Sequence, residues 1–176
     1  EAALRESGLT APPAPMSTAT ASTGTVLRLD QSRFIIVTAS DTAPPLWETL
    51  VAHARPVGTP VWDWLDIQAG IPRIAEATKE AFVPQMTNFD KIGGVSFHKG
   101  CYPGQEVVAR TQYLGKVKRH LYRFHASQPI AAGMQILPAK TPDQPCGLVA
   151  NASPAPGGGY DGLAVILEDT IGNTEL

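Results

Sequence analysis

The sequence predicts an α+β protein. It should have a mixed α+β region over residues 1–98, a chemically dense loop with a helix over 99–115, and a small antiparallel β-barrel over 116–176. Three observations carry this. Apolar runs of strand length within residues 25–38 are followed by segments with apolar residues at helical spacing. Residues 105–114 contain neither Pro nor Gly and are bounded by Pro103-Gly104 and Gly115. Beyond Gly115, four short β-type runs alternate with loops rich in Pro and Gly.

In chain order, residues 1–9 read as the end of a helix stopped by Gly8. Residues 11–24 are rich in Pro, Ala, Ser and Thr and carry no charge, the composition of a mobile linker. Residues 25–29 and 33–38 read as a strand pair, with Asp30-Gln31-Ser32 between them. The continuous run Phe34-Ile35-Ile36-Val37 predicts a strand buried on both faces. Ser40 or Asp41 should cap a helix beginning near Pro44-Pro45, with Leu46, Leu50 and Val51 as its apolar stripe. Trp62, Leu65, Ile67 and Ala69 mark a short helix closed by Gly70. Residues 76–97 have no clear period and read as extended segments with a helical turn near 88–92. Beyond Gly115 the β-type runs are 117–124, 134–137, 146–151 and 163–167.

The 176 residues can hold one medium domain or two small ones. An apolar fraction of 43% and a charged fraction of 17% are those of an ordinary globular protein. A net charge of −2 gives no overall basic field, so direct nucleic-acid binding is not expected. No run of about eighteen apolar residues and no leader pattern occurs, which makes a cytoplasmic location the default and leaves no membrane role. Cys101 and Cys146 lie too far apart in sequence to suggest a disulfide framework or a zinc motif. They are also too few for a self-contained iron–sulfur cluster, which takes about four thiolates. The histidines show no metal-ligand spacing. No bound metal is expected from this chain.

The greatest density of chemistry is Lys99-Gly100-Cys101-Tyr102-Pro103-Gly104-Gln105-Glu106, followed by Arg110. Pro103 suits a turn or a first helical position. A helix over 105–114 gathers Val107, Thr111 and Leu114 on one face, with Val108 beside it. It also places Glu106 four residues before Arg110, the favourable order for an ion pair. Cys101 then precedes a helix N-terminus and lies two residues from Lys99. Both features favour thiolate. Gly100 and Gly104 permit unusual dihedrals or a close approach by a ligand. Two readings of Cys101 stand: a ligand-facing or reactive thiol on a tight loop, and a small buried hydrophobe, the commoner fate of a free cysteine.

The pattern Lys-Gly-Cys-Tyr-Pro-Gly-Gln-Glu-x-x-x-Arg resembles the signature of the YgfZ-type folate-binding proteins. These are relatives of the glycine-cleavage T protein (aminomethyltransferase) and are implicated in iron–sulfur protein maturation. Four flanking segments fit the same family: Ile71-Pro72-Arg73-Ile74, Phe82 through Asp90, Gly93-Gly94-Val95-Ser96-Phe97, and Gly115-Lys116-Val117-Lys118-Arg119. The likeness is close from about Trp64 to Arg123. It implies a folate-binding α+β domain followed by a small barrel, with a further domain ahead of Glu1, so that the chain would be the central and C-terminal part. It also implies tetrahydrofolate as cofactor, iron–sulfur client or assembly proteins as partners, and tRNA modification by iron–sulfur enzymes as the downstream process. Under this reading Cys101 and Lys99 carry the chemistry, while Gly100, Tyr102, Gly104, Gln105, Glu106 and Arg110 shape the loop or face the ligand.

Two alternatives differ in class. One is a folate-dependent aminomethyltransferase of the T protein type, although no complete catalytic constellation is visible in this chain. The other is an interaction or RNA-binding module that uses Lys116, Lys118, Arg119, His120, Arg123 and His125. That basic run could also meet an anionic tail such as a polyglutamate, but it reads more simply as a solvated strand face. Asp63, Asp66 and Asp90 are candidates to hydrogen-bond a pterin edge, with local salt bridging the better reading for Asp66. Trp62 and Trp64 could stack on a heterocycle, but core packing is commoner. His98 reads as a surface histidine, and His53 has no evident partner.

Overall fold

The computed structural model describes residues 1–139 and 141–171. Lys140, in the predicted 138–145 loop, and residues 172–176 of the predicted barrel region lie outside the described residues. The chain forms two compact units, Glu1–Val57 and Gly58–Leu176.

The first unit contains helix α1 (Ala2–Glu6), strands β1 (Ser17–Ala21), β2 (Gly24–Arg28) and β3 (Phe34–Val37), and helix α2 (Ala43–His53). The strands form an antiparallel meander in the order β1-β2-β3. Leu4, Leu9, Val26 and Leu46 form its core, with Phe34, Ile36 and Leu50 against them. Three expectations are corrected here. Residues 17–21, inside the predicted mobile linker, form a strand: the Ser/Thr/Ala alternation pairs with β2, and Thr20 Oγ1 meets Thr25 Oγ1 at 3.1 Å. Strand β3 is half-buried, not buried on both faces. It is an edge strand, with Phe34 and Ile36 inward and Ile35 and Val37 exposed. Helix α2 takes Thr42 as its N-cap with no side-chain cap bond, so neither Ser40 nor Asp41 caps it.

The turn before β3 is built on Asp30. Its Oδ1 accepts from the Ser32 and Arg33 backbone N–H groups at 2.8 and 2.9 Å, and its Oδ2 pairs with the buried Arg33 Nε. The Ser32 backbone bond first, and then the Arg33 side chain, hold the Asp30 carboxyl at about 2, below its ordinary 3.8.

The second unit contains helix α3 (Thr59–Gln68), a single 3-10 turn (Glu76–Thr78), helix α4 (Gln105–Leu114), and strands β4 (Arg119–Ala126), β5 (Gln135–Ile136), β6 (Gly147–Pro154) and β7 (Tyr160–Leu167). The strands form an antiparallel sheet in the order β4-β7-β6-β5. No ladder joins β4 to β5 among the described residues. One face packs against α3: Ile67 enters a cluster with Leu121, Ala150, Leu163 and Val165, flanked by Phe82 and Met86. The other face gathers Cys146, Val149, Ala164 and Ile166 with Tyr122, Phe124 and Ile136.

Residues 58–98, grouped with the N-terminal region in the sequence-based division, share a core with the C-terminal sheet through Ile67, Phe82 and Met86. Ser153 Oγ donates to the Pro60 carbonyl at 2.8 Å, and Asn88 Nδ2 donates to the Leu121 carbonyl at 3.1 Å. The helical turn expected near 88–92 is present, with Ile92 N–H bonded to the Asn88 carbonyl.

The Asp30 turn yields a stability prediction. Its folded-state carboxyl lies below the unfolded value, so its contribution is complete above pH 3.8 and is lost as pH falls toward about 2. Asp30→Ala should lower stability at pH 7 by about 1 kcal/mol, a figure discounted for the partial exposure of the carboxylate. Urea denaturation at pH 7 and near pH 2 tests this. A mutant–wild-type gap that stays the same at both would show that the charge is irrelevant.

Candidate functional site

The motif loop enters α4 through Pro103-Gly104. Gly104 is the N-cap at φ 83°, a left-handed conformation that a Cβ would strain. Gln105 closes the turn from both directions: its backbone N–H donates to the Tyr102 carbonyl at 3.3 Å, and its Oε1 accepts from the Tyr102 N–H at 3.4 Å. Gly104 and Gln105 therefore set the shape of the loop.

That shape leaves Cys101 exposed as a free thiol, which overturns the buried-hydrophobe reading. Cys101 lines a pocket of about 190 Å³ with Lys99, Gly100, Tyr102 and Gln105 of the motif. Phe97 and Tyr113 form its aromatic wall, edge to face with ring centroids 6.4 Å apart. The Lys99 ammonium sits over the Tyr102 ring, 5.2 Å from its centroid. Glu106 and Arg110 do not line this pocket and make no ion pair with each other among the described residues.

Helix α4 has the predicted bounds, and the face that gathers Val107, Thr111 and Leu114 is not buried. Val107 is 58% and Leu114 85% exposed, and no α4 residue is buried. The half-buried side carries Gln105, Val108 and Ala109. The buried Gln85 side chain anchors it by donating Nε2 to the Val108 carbonyl at 2.8 Å.

The other candidates fall elsewhere. Asp63 and Asp66 both meet Arg73, at 2.7 and 3.5 Å. Asp90 does not line the motif pocket, and its enclosed Oδ1 has no hydrogen-bond partner among the described residues. His98 is exposed, and His53 is exposed on α2 in the other unit. Trp62 is half-buried on α3. The basic run does not act as one face: Arg119, Arg123 and His125 alternate with His120, which turns to the opposite side of β4. Among the described residues no group of three or more His, Cys, Asp or Glu side chains converges to hold a metal ion. Among the described residues no helix is long and apolar enough to cross a membrane.

A second cluster escaped the sequence reading. Asp161 opposes His125 in the β4–β7 register, and its Oδ1 meets His125 Nδ1 at 2.8 Å. Its Oδ2 accepts from Trp64 Nε1 at 2.7 Å and Gln68 Nε2 at 2.8 Å. These bonds, the one from His125 foremost, hold the Asp161 carboxyl below the usual carboxylate range. The available signal was an aspartate in an otherwise apolar strand, just after the Gly157-Gly158-Gly159 turn. Its partner becomes visible only once the strands are in register.

Asp161→Asn should lower stability by about 1–3 kcal/mol at pH 7, because it removes the charge that three donors face. The folded-state carboxyl lies below the unfolded value, so the deficit should shrink as pH falls through and below the ordinary carboxylate range. Urea midpoints across that range measure it. A deficit that does not vary with pH would mean that shape, not charge, holds the cluster.

No family model matches the chain. The chain is similar to the tRNA-modifying protein YgfZ of Yersinia pestis (strain Pestoides F), with 45% identity over 107 residues covering 60% of this chain and 32% of the relative. The protein of the same name from Yersinia pseudotuberculosis serotype O:1b gives the same figures. That of Cronobacter sakazakii is 43% identical over 94 residues, covering 53% of this chain and 29% of the relative. The chain thus spans about a third of the length of the curated relatives it matches.

Proposed function

We propose that this chain, similar to YgfZ proteins over about half to 60% of its length, is a tetrahydrofolate-binding accessory factor in the assembly or repair of iron–sulfur proteins. Through such enzymes it would support tRNA modification, in line with the name its relatives carry. The observation that supports this best is the free, exposed Cys101 on the wall of an aromatic-lined pocket formed by the motif loop and α4.

The residues present suit part of a folate. Phe97, Tyr102 and Tyr113 offer ring faces and edges to a flat heterocycle. Gln105 is already committed to the Tyr102 N–H and backs the loop. The pocket's roughly 190 Å³ falls below the ~300–1,000 Å³ of sites that enclose a whole drug-sized ligand. In this reading the motif loop grips one ring system and leaves the rest of the ligand outside. Folate supplies a one-carbon carrier when bound. Cys101 Sγ stands at the pocket wall as a nucleophile or a soft, exchangeable ligand, with thiolate as its working form. Lys99 keeps a positive charge at the same rim.

Two measurements test the reading separately. Calorimetric titration of tetrahydrofolate should give saturable heat that changes by less than about twofold in Cys101→Ala, because a thiol contributes little binding energy. In cells lacking their own copy, the full-length protein bearing Cys101→Ala should restore iron–sulfur enzyme activity at least about tenfold less well than wild type. Wild-type restoration would sink the thiol's role. Absence of heat in both proteins would remove folate from the proposal and leave the loop as a protein-docking element.

A further inference from the structure

The Asp161 cluster lies outside the motif loop and plays no part in the proposed function. Both carboxylate oxygens of Asp161 are occupied, Oδ1 by His125 and Oδ2 by Trp64 and Gln68. Gln68 is thereby oriented: its Nε2 donates to Asp161, which turns its Oε1 toward Arg123 Nη1 at 2.8 Å. The Gln68 carbonyl accepts from the same nitrogen at 3.3 Å. The remaining guanidinium donors of Arg123 have no partner among the described residues, and its guanidinium is fixed at one corner.

His125 is held as firmly. Its Nδ1 faces Asp161, and a Cβ on Gly159 would stand 3.0 Å from both Cε1 and Nε2 of its ring. The ring edge therefore packs close to a glycine at φ 68°, and Nε2 is the ring nitrogen not committed to Asp161. Gln68, Arg123, Phe124, His125 and Asp161 line a cavity of about 320 Å³. Arg123 and His125 are two residues apart on β4, so they share a face about 7 Å apart along the strand. An oxyanion between them can be reached by both.

We propose that Arg123 and the doubly protonated ring of His125, with Nδ1–H on Asp161 and Nε2–H toward the ligand, form a binding site for a phosphate-type oxyanion. The hydrogen-bonded Asp161 acts as an internal counter-charge that orients the two donors, directly at His125 and through Gln68 at Arg123. Planar, pre-oriented guanidinium donors suit phosphate oxygens, and the rigid network lowers the ordering cost of binding. The other titratable group on this face of β4 is Arg119, which adds positive charge.

The test is a titration of the chain with inorganic phosphate at constant ionic strength, followed by the long-range ¹H–¹⁵N correlation of the His125 ring. Nε2 should shift saturably, with an apparent Kd on the order of millimolar, as for a single small anion. Arg123→Gln should weaken binding at least about tenfold, the loss expected for a charged hydrogen-bonding partner. An unchanged Nδ1 signal in that variant shows that the Asp161 pair is intact. Arg119→Gln should change binding by less than about twofold.

No saturation, or equal losses from Arg119→Gln and Arg123→Gln, overturns the proposal, since equal losses mean a diffuse field and not a site. Adenosine monophosphate and a short single-stranded oligoribonucleotide identify the source of the phosphate. Tighter binding of the nucleotide alone points to a small phosphorylated ligand. Tighter, steeply salt-dependent binding of the oligomer alone points to a nucleic-acid backbone.

Discussion

The pairing of β4 with β7 is the constraint on which the second unit depends. Their antiparallel register sets Leu121 against Val165 and His125 against Asp161. The first pair lies in the core that receives Ile67 of α3. The second reaches the same helix through Asp161, which takes hydrogen bonds from Trp64 and Gln68. A slip of one residue would turn both pairs away from α3 and leave Ile67 without its apolar partners. Apolar packing and the polar network thus select the same register, and that agreement between independent terms gives a fold a single solution.

The motif loop is held by different means. It has no buried α4 residue behind it, and among the described residues its restraints include a left-handed glycine, one backbone–backbone and one backbone–side-chain bond between Gln105 and Tyr102, a ring pair and a bond from Gln85 to α4. Such a segment lies at the low end of local stability. Chemistry that requires a thiol to approach a partner is compatible with that placement, whereas the β4 face suits a ligand that must be read by fixed donors. The unit therefore offers a compliant reactive edge and a rigid polar face, each with its own source of order.

Legibility in the sequence follows the range of the interactions. Helix α4 was readable to the residue because its limits are local: Pro103-Gly104 permits the start and Gly115 the stop. The strands after Gly115 were readable from their apolar runs, and so was the turn at Asn88. Residues 17–21 were not, because Ser, Thr and Ala carry little strand signal until β2 supplies partners. Whether the apolar face of α4 is covered was not legible for a related reason. Periodicity identifies Val107, Thr111 and Leu114 as a face, but whether another element covers it is a tertiary fact. Barrel closure likewise depends on strand edges meeting, and a list of short strands leaves it open.

The motif itself shows why residue density does not translate directly into site chemistry. Of its distinctive positions, Gly104 and Gln105 are spent on geometry: one supplies the left-handed N-cap and the other closes the turn on Tyr102. Tyr102 supplies the ring on which Lys99 rests. Removing Gly104's freedom or Gln105's amide would displace Cys101 without touching the thiol, because the loop that presents it has little else to fix its course. The thiol's exposure is thus a product of its neighbours' backbone and hydrogen-bonding chemistry. Glu106 and Arg110, which sequence spacing pairs with each other, stand apart on the outer surface of α4, where both charges remain available to a partner.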